Sequence, residues 1–164
     1  MRALVLIFLL AIVGTLKISN KGIKFIKEVE KLELNAVFKN GKWRIGYGTT
    51  NDDYRFTKKR IVKGLKIDKT TAEKWLKKTI TNKYTPLVNK YSEYKWTQNE
   101  FDALISFAHG GGDLRNLTAN GRRSKSDIAK NILNFNSTLN GKVTDELVNR
   151  RKAEQRLFLT KPSS

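Results

Sequence analysis

The apolar positions change their spacing twice in the first third of the chain. Residues 3–16 form an uncharged, mostly apolar run of fourteen, preceded by Arg2. That run is short for a bilayer span and has the length of an export-signal core, so residues 1–16 are expected to be a signal peptide. A cut near Gly14 would start the mature chain between Thr15 and Ser19. An uncleaved anchor and a buried first helix are the competing readings. From Ile18 the spacing becomes helical. In ISNKGIKFIKEVEKL the residues Phe25, Ile26, Val29 and Leu32 share one face, and Ser19 or Asn20 is placed to cap it. Glu30 follows Ile26 by four residues, which puts it at the edge of that face near the helix C-terminus. The period then drops to two. AVFKNGKWRIGYG carries β-branched and aromatic residues on both sides of Asn40-Gly41, the dipeptide most suited to a tight hairpin turn.

Residues 49–59 read as a polar link, and helical spacing resumes after them. TTAEKWLKKTI opens on a Thr70–Glu73 capping box and sets Ala72, Trp75, Leu76 and Thr79 on one side. TQNEFDALISFA repeats the device with Thr97 and Glu100, aligns Phe101, Leu104, Ile105 and Ala108, and ends at a run of three glycines. SDIAKNILNF offers Ile128, Ile132 and Phe135, and TDELVNRRKAEQRLF offers Leu147, Val148, Leu157 and Phe158. The sum predicts an α+β fold: a small helix-plus-hairpin lobe over residues 17–58, packed on a larger all-helical lobe over residues 59–164, with a cleft between them.

Charge narrows the partner. Lys and Arg number 33 against 15 Asp and Glu, a formal charge of +18, or +17 once Arg2 leaves with the signal. Such an excess favours a polyanionic partner: nucleic acid, an anionic membrane or a cell wall bearing carboxylates and phosphates. The lysines are spread along the chain and no nucleic-acid recognition module is visible, so nucleic acid is not the expected partner. With no cysteine and one histidine, a metal site would need carboxylates almost alone, and neither metal nor cofactor is expected.

Three separated blocks resemble the phage-type, T4-like lysozymes of glycoside hydrolase family 24. The first runs from Glu30 through Leu34-Asn35-Ala36-Val37 to Arg44-Ile45-Gly46-Tyr47-Gly48-Thr49-Thr50; the second is QNEFDALISFAHGGG; the third is GKVTDELVNRRKAEQRLF. Together they cover roughly residues 17–160 in family order. The resemblance implies a lysozyme-like fold and hydrolysis of the β-1,4 bond between N-acetylmuramic acid and N-acetylglucosamine in bacterial peptidoglycan. The leader adds the expectation of a secreted protein that meets a membrane only during export, and a bacteriolytic monomer is expected. Glu30 matches the family acid. The family places Asp or Cys nine residues after that Glu, then Thr six further on. Here those positions hold Lys39 and, in a hairpin one residue shorter, Arg44. The Gly after the Glu is Lys31, the His after Tyr-Gly is Thr49, and the Asn before the glycines is His109 or Gly110.

Glycoside hydrolysis needs an acid to protonate the leaving oxygen and a group to hold the attacking water. The helix end and partly apolar surroundings should raise the Glu30 pKa, whereas a guanidinium at position 44 would lower it. Neither Lys39 nor Arg44 accepts a proton from water at neutral pH. Thr49, Thr50, Asp52 and Asp53 are the remaining candidates for water or substrate contacts, with His109 near the cleft. The alternative to a weakened enzyme is a pseudo-lysozyme that keeps the glycan cleft. Arg150 and Arg151 with Glu154 read as an ion-pair network behind the cleft. Trp43, Trp75 and Trp96 read as core rather than sugar platforms. Asn116 and Asn136 begin acceptor sequons that matter only in a eukaryotic secretory pathway.

Overall fold

The computed structural model describes residues 15–138 and 141–161, so most of the expected leader lies outside the described residues. Helix α1 (Asn20–Glu30) is capped by Ser19, whose hydroxyl accepts from the Gly22 amide. Its C-cap, Lys31, turns the chain sharply with φ 58° and ψ 161°. Strands β1 (Glu33–Lys39), β2 (Lys42–Gly46) and β3 (Thr49–Thr50) follow as an antiparallel sheet in that order. Asn40 and Gly41 both have positive φ, 52° and 77°, which makes the hairpin turn type I′ as the Asn-Gly pair requires. The expected polar link is structured instead. Thr49 and Thr50 pair with β2, and a 3₁₀ turn runs into helix α2 (Tyr54–Thr57).

Helix α3 (Lys69–Thr79) continues through a π-helical turn, Ile80–Tyr84, into α4 (Thr85–Asn89), forming one long rod. Its N-cap is Asp68, which accepts from Thr71 at 2.6 Å, so the Thr70–Glu73 capping box does not form. Glu73 is engaged elsewhere: it binds Lys27 of α1 at 2.5 Å. The second box does form, with Thr97 and Glu100 opening α5 (Gln98–His109). Residues 101–108 of α5 are buried on every side, deeper than an amphipathic pattern implies. Around it pack α1, α6 (Leu114–Thr118), α7 (Lys125–Ile132) and α8 (Asp145–Leu159). Phe101, Leu104, Ile105 and Phe107 of α5 join Ile26, Leu76, Leu117, Ile128 and Ile132 in one core. Of the three tryptophans only Trp96 is fully buried, stacked on Tyr94.

A polar anchor fixes the start of α1, the helix that ends in Glu30. Asp102, fully buried in α5, accepts from the Ser19 amide and hydroxyl and from Gln98. At the other end Lys31 holds a backbone conformation that favours glycine. Such strain costs of order 1–3 kcal/mol, against which glycine's extra chain entropy is smaller. Lys31→Gly is therefore expected to stabilise the fold by about 1 kcal/mol. Denaturant unfolding of parent and variant reads this directly; a variant no more stable than the parent would mean the strain is absent.

Candidate active site

The cleft between the lobes encloses about 460 Å³, and Glu30 stands in its wall with its side chain only 4% exposed. Gly48 is what lets the carboxylate in. Its φ is 82°, and a Cβ built there would lie 2.5 Å from Glu30 Oε2. A side chain at position 48 would be both strained and in collision, which gives the Gly-Tyr-Gly turn a physical reason.

Three cationic or proton-bearing side chains converge on Glu30. Arg150 Nη1 donates to Oε1 at 2.5 Å, His109 Nδ1 lies 2.9 Å from the same oxygen, and Arg44 Nη2 donates to Oε2 at 3.1 Å. An ionised carboxylate only accepts, so His109 carries its proton on Nδ1. Burial is the largest influence on the Glu30 pKa and pulls it up. The combined charges of His109, Arg150 and Arg44, with the His109 hydrogen bond, outweigh burial and hold the carboxyl far below its usual range. The expected upward shift from the helix end is thus overturned. The expected Arg44 effect is present, as one of three.

The three partners are not equivalent. The Arg150 side chain is 9% exposed and pinned from behind: Nε donates to Glu154 at 2.8 Å and Nη2 to the Ser106 carbonyl at 3.0 Å. Arg151 and Ser106 complete the set on Glu154. The Arg150, Arg151 and Glu154 network exists as read from the sequence, but it is not confined behind the cleft, because Arg150 crosses to the acid. His109 ends α5 and rests edge-on against Tyr84. It is both a helix-end residue and a partner of Glu30. Arg44 is 29% exposed and touches Glu30 through one nitrogen.

The other expected positions separate clearly. Lys39 lines the cleft mouth and reaches across it to Glu146 at the start of α8, 2.5 Å away. Thr49 is buried and does not face the cleft. Thr50 does, opposite Arg44 in the β2–β3 register, and its hydroxyl accepts from the Asp52 amide. Asp52 faces the cleft paired with Lys42 at 2.5 Å, and that hydrogen bond lowers its pKa. Asp53 is buried and committed to Lys83 and the Thr50 amide. Lys42, Lys83, Tyr84 and Glu146 line the cleft without having been expected there. Lys83 and Tyr84 arrive through the π-helical turn, a distortion that periodicity cannot signal.

A sequence profile of phage lysozymes matches residues 27–154. The chain belongs to the phage lysozyme family. It is 34% identical to the endolysin of Lactococcus phage c2 over 149 residues, 91% of this chain and 62% of that protein. The chain thus spans less than two thirds of the length of that relative. Among solved structures it is similar to the endolysin from Escherichia coli O157:H7 phage FAHEc1. There the TM-score is 0.73 and the identity 33%, covering 92% of this chain and 99% of that one. The muramidase domain of SpmX from Asticaccaulis excentricus aligns with a TM-score of 0.70 at 30% identity, covering 88% and 99%. These likenesses confirm the α+β lysozyme fold.

The charge cluster makes a pH prediction. A carboxylate whose pKa is lowered on folding contributes stability above its unfolded value, near 4.5, and loses it as the pH falls toward the folded value. The parent should therefore lose stability relative to Glu30→Gln between about pH 5 and pH 2. Urea unfolding of both proteins across that range tests it. A constant difference would mean that Glu30 titrates normally.

Proposed function

We propose that this chain is a muramidase of glycoside hydrolase family 24. It would cleave the bond between N-acetylmuramic acid and N-acetylglucosamine in bacterial peptidoglycan, with Glu30 as general acid. The observation that carries the reading is Glu30 itself. It sits in the wall of the interlobe cleft, in family register, with its carboxylate packed directly against Gly48.

An acid held ionised must gain its proton before it can act. Two features supply a route. Glycan entering the cleft removes water from Glu30 and competes with Arg44, the most exposed of its three partners. Losing Arg44 lets burial, the largest influence on this carboxyl, count for more. The proton itself comes from solvent onto Oε2, the oxygen that Arg44 vacates, while His109 keeps its Nδ1–H on Oε1 and holds the carboxyl in place. Glu30 then gives that proton to the glycosidic oxygen as the C1–O bond breaks, and positive charge develops on the sugar. For the water, Asp52 is the best-placed of the four candidates, because it is ionised and faces the cleft beside the Thr50 hydroxyl. Thr49 is buried and Asp53 is consumed by Lys83.

A second reading has its own observation. Each carboxylate that faces the cleft among the described residues has a cation on it: Glu30, Asp52 with Lys42, Asp53 with Lys83, and Glu146 with Lys39. A cleft so neutralised also suits a protein that holds glycan without cutting it. Turbidity and soluble-muropeptide assays on three proteins decide between the two. Glu30→Gln should lose the activity by about 10²–10⁴-fold, the usual worth of a placed proton donor. Arg44→Thr should raise it, although less than in a site where Arg44 stood alone, since Arg150 and His109 remain. Equal trace activity in all three would leave the glycan-binding reading.

We further propose that the protein is exported by its leader and cut before Leu16. Asn89 donates to the Leu16 carbonyl and Gln98 to that of Lys17, so a cut after Leu16 would strip one of these contacts. N-terminal sequencing of exported protein should read Thr15 or Leu16. An intact Met1 on membrane-bound protein would instead mean an anchor.

A further inference from the structure

The excess charge is not evenly laid out. Residues 55–78 hold ten lysines and arginines against Asp68 and Glu73, and Glu73 is taken by Lys27. Within that stretch Arg55, Lys58, Lys59, Arg60, Lys63 and Lys66 are all exposed, and none has a carboxylate within salt-bridge distance among the described residues. The contrast with the cleft is sharp, where Lys39, Lys42, Arg44 and Lys83 are each paired. None of these six residues lines the cleft.

The segment is held in place. Ile61 is buried and its backbone is bound on both sides by the Asn51 side chain. Farther on, the Ala36 amide donates to the Leu65 carbonyl and the Ile67 amide to that of Leu34, tying the segment along the free edge of β1. This strap, which the sequence boundary at residue 59 assigns to the helical lobe, covers the sheet edge of the small lobe instead and presents its charges outward from a rigid support. Apolar groups stand among the cations. Val62 is 52% exposed next to Lys63, and Tyr54 is 45% exposed with the Arg60 guanidinium over its ring at 5.3 Å. Leu34, on the strand beside the strap, is exposed as well.

We propose that this outer face of the small lobe docks the protein on an anionic lipid bilayer. Six unpaired cations fit a surface of acidic headgroups, each worth roughly a five-fold gain in partitioning. Charge alone would serve a soluble phosphate polymer equally well. Val62 and Tyr54 decide for the bilayer, because a hydrated polymer offers them nothing apolar to enter, whereas the headgroup boundary does. The proposal is independent of catalysis at Glu30: the dock lies outside the cleft and works whether or not the site turns over.

Co-sedimentation of the exported protein, freed of its leader, with vesicles tests it. The chain should sediment with vesicles of phosphatidylcholine mixed with phosphatidylglycerol, and not with phosphatidylcholine alone. Replacing Lys59, Arg60 and Lys63 by Gln should weaken partitioning by about a hundred-fold. The same change at Lys90, Lys152 and Arg156, exposed residues outside the strap, should weaken it far less. Equal losses in the two triple variants would reduce the effect to net charge and overturn the dock. Val62→Ser should weaken partitioning by roughly three- to ten-fold, the worth of partly burying one such side chain. Unchanged partitioning of Val62→Ser would instead favour phosphate-polymer adsorption and overturn the bilayer. An unchanged urea-unfolding midpoint of each variant confirms that the fold is intact.

Discussion

The fold closes on one carboxylate. Glu30 leaves the small lobe at the end of α1 and meets Arg150 and His109 of the large lobe, residues 120 and 79 positions further along the chain. A charge pair at about 3 Å in an effective dielectric near 20 is worth roughly 5 kcal/mol in gross terms. Stripping water from each buried ion costs a similar amount. The cluster therefore adds little net stability, and its consequence is positional. It fixes where the lobes meet and which oxygen of Glu30 remains reachable: Oε1 has two partners, whereas Oε2 has the single, more exposed Arg44.

Much of the backbone serves that meeting. Asp102 clamps the first turn of α1, Lys31 reverses the chain immediately after Glu30, and Gly48 clears the space that the carboxylate occupies. Arg150 is held ready by Glu154 and the Ser106 carbonyl before it touches Glu30. Cations in this position keep a carboxylate ionised, which opposes acid catalysis until something displaces one of them. Arg44 is the partner that substrate can reach, so the residue that departs most from the family pattern is also the one whose movement would release the acid.

What the sequence made legible follows from what is local. The Ser19 cap, the Asn40-Gly41 turn, the Thr97–Glu100 box and the apolar stripe of α5 are set by residues within four positions of one another, and all appear in the structure. Glu30 could be placed because its register against the Gly-Tyr-Gly turn spans only eighteen residues. The reach of Arg150 to Glu30 could not, because its local partner Glu154 already accounted for the residue. The Thr70–Glu73 box failed for a related reason: Asp68, two residues earlier, is the stronger acceptor at that helix start, and Lys27 of α1 claims Glu73. The π-helical turn that delivers Lys83 and Tyr84 has no spacing signature at all. Nor could a count of charges tell paired lysines from unpaired ones.

That last distinction bears on how one basic chain can manage two surfaces. Had the cleft cations been free, the cleft would attract any polyanion, and lipid or wall phosphate would compete with glycan for it. Pairing Lys39, Lys42, Arg44 and Lys83 with carboxylates removes most of that pull, since opposite charges a few ångströms apart largely cancel at distances greater than their separation, before screening over about 8 Å at physiological salt weakens what remains. The unpaired cations of the strap retain theirs. Long-range attraction thus acts from the outer face of the small lobe, and the cleft is left to select by shape and hydrogen bonding. The two demands, a high net charge to find an anionic surface and a neutralised cleft to admit a sugar chain, are met by placing the acids rather than by adding more bases.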